Sequence, residues 1–199
     1  MQTPIALTLT DRLSLRLSGG TQTTARRSAL TDALLVIGGS LIVAALAQVR
    51  IPLPFTPVPL TGQTLGVLLV AAVLGRSRGA ASLGLYLILG LLGLPVFAGA
   101  PLGLARLLGP TGGYLIGFIA AAALVGTLAE RGMDRNWKGV SLMYLAGMAV
   151  IYLFGVAWLA VFTGPQGALA AGLVPFLIGD VIKAVIAALL LPAARRLVE

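Results

Sequence analysis

LVPFLIGDVIKAVIAALLLPAA, residues 173–194, carries only two ionisable side chains, Asp180 and Lys183. About 20 predominantly apolar residues suffice to cross the hydrocarbon core of a bilayer, so this run predicts a membrane span with a carboxylate and an ammonium inside it. Such a placement is costly. A lone charge at the membrane centre costs about 2.5 to 3.5 kcal/mol on insertion scales, so intramembrane ionisable residues face a bundle interior, a partner or a wet cavity. Asp180 and Lys183 stand at i and i+3, adjacent on one helical face, where opposite charges pair. Two readings follow: an ion pair that only locks the helix into its bundle, or a polar floor for a bound solute or a proton path.

Composition extends the membrane reading to the whole chain. Of 199 residues, 58% are hydrophobic and 10% charged, and the mean hydropathy is +1.02. A soluble domain is about 25% charged. The length accommodates six spans with short loops and no separate soluble domain, giving an all-α membrane protein with one domain over 29–199 behind a tail over 1–28. The formal charge of +8 reads as a topology signal and not as a nucleic-acid surface. With no Cys and no His, thiolate chemistry, the usual zinc sites and an imidazole base are excluded.

Ahead of the last span the chain reads in order as follows. Span one covers about 29–49 and is rich in small residues, with Ala29 and Ala33 four apart, a spacing that lets helices approach closely, within the bundle or against another membrane protein. RIPLPFTPVPLTG, residues 50–62, holds four prolines and cannot be helical. Its apolar side chains, Phe55 among them, suggest a cover folded over the bundle. Span two, 63–74, is short and opens with polar Thr61, Gln63 and Thr64. Arg76 and Arg78 mark a tight turn into span three, 80–92, with Tyr86 in its middle. The connection 93–113 is rich in Gly and Pro with Arg106 its one charge, and long apolar loops of this kind serve as lids. Span four is 114–128, span five 140–162.

Lys and Arg divide sharply between the two sides of this arrangement. Arg12, Arg16, Arg26 and Arg27 fall with Arg76, Arg78, Arg131, Arg135, Lys138, Arg195 and Arg196, whereas Arg50 and Arg106 fall opposite. The positive-inside rule then places both termini in the cytoplasm and both Pro/Gly-rich apolar loops outside. Asp180 follows Leu173 by seven residues, about 10 Å at the helical rise. A cavity open to the outside, floored by Asp180 and Lys183, covered by Phe55 and Phe97, and reached by Arg106, meets these constraints. It suits a small solute with apolar and hydrogen-bonding parts.

Three stretches carry a resemblance: IPLPFTPVPLTGQTLGVLL, GLPVFAGAPLGLARLLGPTGGYLIGF and LVPFLIGDVIK. Together they resemble the BioY family, the biotin-binding S components of energy-coupling factor (ECF) vitamin transporters, over about 29–194. The resemblance implies a six-helix, multi-pass protein of a bacterial plasma membrane that captures biotin from outside. It also implies a transmembrane T component and ABC-type ATPases as partners, with no cofactor on this chain, since ATP is used by the partner subunits. Asp180 and Lys183 fall on the family's GDxxK positions, which contact the vitamin, and Arg106 falls where its carboxylate is expected. Ala29 and Ala33 match the Ala-xxx-Ala spacing that docks the T component. The run at 98–103, AGAPLG, departs from the purely Gly-rich form of the family.

The chemistry of biotin suits these residues. Its ureido N–H groups match a carboxylate, Lys183 can donate to the ureido oxygen or hold Asp180 ionised, and a guanidinium grips a carboxylate in two bonds. Phe55, Tyr86, Phe97 and Tyr114 are candidate walls, and Gln63 and Thr111, at the starts of spans two and four, are candidate polar contacts. The alternative function is a stand-alone ion- or proton-coupled carrier, which the absence of doubled, interrupted spans disfavours. An enzyme is not expected: Asp180 and Glu130 lie at opposite membrane faces, so no carboxylate dyad forms.

Overall fold

In hydrocarbon every backbone polar group must find its partner within the protein, and a single chain this apolar meets that demand with helices. The computed structural model describes residues 8–11, 29–99 and 103–198. Helix α1 spans Ala29–Gln48. Strands β1, Arg50–Ile51, and β2, Leu60–Thr61, pair antiparallel and close the base of the proline-rich loop. Helices α2 (Gln63–Leu91), α3 (Leu104–Leu108), α4 (Gly112–Glu130), α5 (Trp137–Gly172) and α6 (Leu177–Val198) follow, with 3-10 turns at Met133–Arg135 and Val174–Phe176. Among the described residues four stretches are long and apolar enough to cross a membrane: Ala29–Gln48, Gln63–Leu91, Gly112–Glu130 and Trp137–Leu197.

Two helices are broken internally. Gly75 sits at φ 82° and ψ −177°, a conformation that side chains with a Cβ rarely adopt. A Cβ on Gly79 would lie 2.9 Å from the Ala71 Cα, and Gln63 bonds to Tyr86. Residues on either side of Gly75 therefore touch their mirror positions, and α2 is a hairpin with arms 63–74 and 76–91. The turn is one glycine, so the second arm starts four residues before the position the sequence suggests. Gly164 interrupts α5 just before Pro165, and the chain returns until Gly172 packs on the Leu159 side chain.

The last helix is where the sequence misplaced a boundary. Pro175 sits in a 3-10 turn, and α6 begins at Leu177, not Leu173. Asp180 is therefore in the first turn of its helix, only about 4.5 Å along its axis, and nearer the loops than the expected 10 Å.

α1 packs on α2 through Gly39, Ser40, Val43 and Ala47, α2 and α5 both pack on α4, and α6 lies mainly against α5. The core includes Val67, Leu83, Val125, Met143, Ile151 and Leu159, yet the outward face is just as apolar, with Leu34, Leu145, Ile178 and Leu189 exposed. Inside and outside differ by packing and not by polarity, as expected where lipid is the solvent.

One end of the bundle is charged. Glu130 accepts the Arg76 amide at 2.8 Å, Arg78 bridges Asp11 at 2.9 Å and Asp32 at 3.3 Å, and Arg195 pairs with Asp134. Residues 8–11 pack on this end, with Thr10 donating to the Val73 carbonyl. The remainder of the expected tail, including Arg12, Arg16, Arg26 and Arg27, lies outside the described residues.

Candidate functional site

At the other end the loops are knitted to one another. Gln48 reaches the carbonyls of Pro95 and Val96, Thr56 donates to Ala171 at 2.7 Å, Trp158 to Gly109 at 3.0 Å, and Tyr114 to Gly172 at 2.7 Å. Phe97 anchors the 93–99 segment. Its ring is buried edge-on against Tyr86 at 5.4 Å and occupies the space above Gly90, where a Cβ would collide with it.

Beneath these loops lies a cavity of about 70 Å³. Asp180 and Lys183 line it, with Nζ 3.2 Å from Oδ1. Lys183 also donates to the Thr64 hydroxyl at 2.8 Å, and Tyr152 donates to Oδ2 of Asp180. Each carboxylate oxygen thus has one protein partner and a further lone pair to offer. The first-turn position of Asp180 adds the favourable field of the helix N-terminus.

Of the residues singled out from the sequence, Gln63, Phe97, Arg106, Thr111, Tyr114, Asp180 and Lys183 all line this one cavity. Arg106 belongs to α3 and is held by the Ala98 carbonyl. Tyr86 does not form a wall. It stands behind Gln63, whose amide donates to its hydroxyl at 2.7 Å, and fixes the orientation of that amide. Phe55 is also misplaced by the sequence reading: it is 67% exposed at the tip of the proline strap, while Val58 and Pro59 take the inward face. The chain bends at Pro54–Phe55, which turns that ring away from the bundle. Ala29 and Ala33 are exposed on α1, so neither packs the bundle interior.

The structure adds residues that the sequence reading left out. Tyr152 and Thr64 complete the polar floor, and Phe118, Met148, Ile151 and Phe176 supply apolar wall. The Tyr152 hydroxyl, in the middle of an otherwise apolar span, was the available signal. On its far side an apolar groove runs between α5 and α6, and Met148, Tyr152 and Asp180 form part of the wall of both spaces.

The BioY family profile matches residues 20–199. The chain belongs to the BioY family. It is 44% identical over 141 residues to the probable biotin transporter BioY of Pyrococcus horikoshii, covering 71% of this chain and 83% of that protein. To the biotin transporter BioY of Rhizobium etli it is 41% identical over 165 residues, covering 79% and 88%. A crystal structure of the S-component for biotin from an ECF-type ABC transporter superposes with a TM-score of 0.73 at 30% identity, covering 84% of this chain and 90% of that one. Membership in this family and the apolar helices make the chain a multi-pass membrane protein.

Proposed function

We propose that this chain is the high-affinity biotin-binding S component of an ECF-type uptake transporter. The observation that carries the reading is the Asp180–Lys183 pair, which in this BioY-family chain lines a cavity beneath the knitted loops. A pair serving only to clasp helices has no need of a lumen. In this reading the free lone pairs of Asp180 accept the ureido N–H groups, Lys183 donates to the ureido oxygen, and Gln63 and Thr111 add polar contacts. Phe97, Tyr114, Phe118 and Phe176 enclose the ring system, and Arg106 takes the valerate carboxylate.

The reading carries a topology with it. In this reading the breaks at Gly75 and Gly164 mark off six spans, 29–48, 63–74, 76–91, 112–130, 137–163 and 177–198. Arg76, Arg78, Arg131, Arg135, Lys138, Arg195 and Arg196 gather at the charged end, and the positive-inside rule makes that end cytoplasmic. The cavity then opens outward, in the plasma membrane of a bacterium. The protein is a transport subunit and not an enzyme. Its partners are a transmembrane T component, docked on Ala29 and Ala33, and ABC-type ATPases that use the ATP.

Calorimetric titration of the purified protein with biotin tests the reading. Sub-micromolar binding is expected, and absence of heat and of retained radiolabelled biotin would remove it. Uptake into liposomes under a proton gradient, with no ATPase present, would instead favour a stand-alone carrier.

A further inference from the structure

Two guanidinium groups from different loops meet at the mouth of the cavity. Gly99, at φ +103°, has no side chain, and the position its Cβ would take lies 2.8 Å from Nη1 of Arg50 and 3.3 Å from Nη2 of Arg106. Arg50 comes from β1 at the base of the proline strap, and Arg106 from α3 on the other side of Gly99. Like charges brought this close repel unless an anion lies between them. Among the described residues no carboxylate does. Among the described residues Asp11, Asp32, Glu130 and Asp134 are at the charged end, and the one carboxylate near the cavity, Asp180, is already engaged by Lys183 and Tyr152. Residues 100–102, beside Gly99, contain no acid in the sequence. Arg106 lines the cavity, whereas Arg50 is exposed and stands outside its lining. Burial holds the Arg106 pKa below its ordinary value, with Tyr86 opposing the shift and the Arg50 charge adding to it.

We propose that Arg50 and Arg106 form a two-cation entry site for the carboxylate of the ligand, with Arg50 receiving the anion first and Arg106 retaining it. The inference rests on the reading of this cavity as a biotin site and adds to it a residue outside the cavity lining. A net double positive charge at a low-dielectric mouth concentrates anions and raises association rates, an effect that salt screens. Arg50 therefore acts on the rate of arrival more than on residence, and only for an anionic ligand.

Stopped-flow association in nanodiscs of phosphatidylcholine tests this with two probes, biotin and the neutral biotinamide. Arg50→Gln is expected to slow biotin association by about threefold to tenfold at low ionic strength, and Arg50→Glu to slow it further. The gap should close between about 20 mM and 500 mM salt, as the screening length falls from roughly 20 Å to roughly 4 Å. Biotinamide should associate equally fast with all three proteins. Equal biotin rates for wild type and both variants would overturn the proposal, as would equal slowing of biotinamide, which marks a structural role. An effect present only when anionic lipid is added would assign the arginines to lipid phosphate and overturn it too. If wild type binds neither probe, the biotin reading itself falls; if it binds both and the variants match it, only the entry site falls.

Discussion

Lys183 Nζ lies 2.8 Å from the Thr64 hydroxyl, so an ammonium on α6 is tied to the first turn of α2 across the cavity floor. The same nitrogen is 3.2 Å from Asp180, and Asp180 in turn holds the Tyr152 hydroxyl of α5. Three helices thus meet on one charge pair. The network orients the groups in advance, which reduces what ligand binding must spend on ordering them.

Removing the carboxylate should separate binding from folding. Asp180→Ala is expected to lower biotin affinity by about 100-fold or more, the scale of one or two charge-assisted hydrogen bonds. Insertion into the membrane should be retained, because a lone lysine this near the loop end can reach water. Titration of detergent-purified variant against wild type reads the difference; matched affinities would leave the pair with a structural role only. Thr64→Val should have a smaller effect, about tenfold or less, since Lys183 keeps Asp180.

Phe97 is the fastener of the loop that overlies the cavity. Its ring fills the notch above Gly90 and packs edge-on to Tyr86, so Phe97→Ala should leave the 93–99 segment without its anchor. The dissociation rate of biotin should rise about tenfold or more, corresponding to at least about 1.4 kcal/mol. Gly90→Leu should do the same from the other side, by expelling the ring. Filter-binding chase experiments measure both, and an unchanged release rate in both variants would show that the loop is held elsewhere.

These two sites were not equally legible. Asp180, Lys183 and Arg106 announced themselves because a charge in an apolar run has few reasons to be there. Gln63, Thr111 and Tyr114 followed from their places beside glycine- and proline-rich loops. Phe118, Ile151 and Phe176 did not, because a membrane helix is apolar on every face and carries no period that distinguishes lumen from lipid. The hairpin at Gly75 was legible from the paired arginines, although its tightness was not. Phe55 was read inward because an apolar ring in a loop seemed to need cover, but the prolines around it dictate the direction of the strap and leave the ring outside. The start of α6 was missed because Pro175 was counted as helix when it sits in a 3-10 turn.

Ala29 and Ala33 lie exposed near the charged end, with Asp32 between them bound to Arg78. If this surface receives the T component, bulk placed there should block association and spare the distant cavity. Ala33→Trp is expected to abolish co-purification with co-expressed T component and ATPases while biotin affinity stays within about twofold of wild type, as for sites with no shared partners. Joint loss of both activities would mean that the alanines matter for the fold.

At the charged end Asp134 and Arg195 are each 1% exposed and bonded to one another, joining the turn after α4 to the end of α6. Burial pushes the Asp134 carboxyl up, and the Arg195 charge opposes that shift. Breaking a buried pair is costly: Asp134→Leu alone should cost about 3 to 5 kcal/mol, because the buried Arg195 would lose the carboxylate that faces it. Replacing both, Asp134→Leu with Arg195→Met, removes the charge along with the attraction and should recover most of that loss. Thermal unfolding in detergent, followed by tryptophan fluorescence, compares the single and double variants. Biotin affinity should be unaltered in the double variant, since the pair is at the opposite end of the bundle from the cavity. A double variant as unstable as the single one would instead mean that the pair is needed for its specific geometry, as a lock on the α4–α6 register.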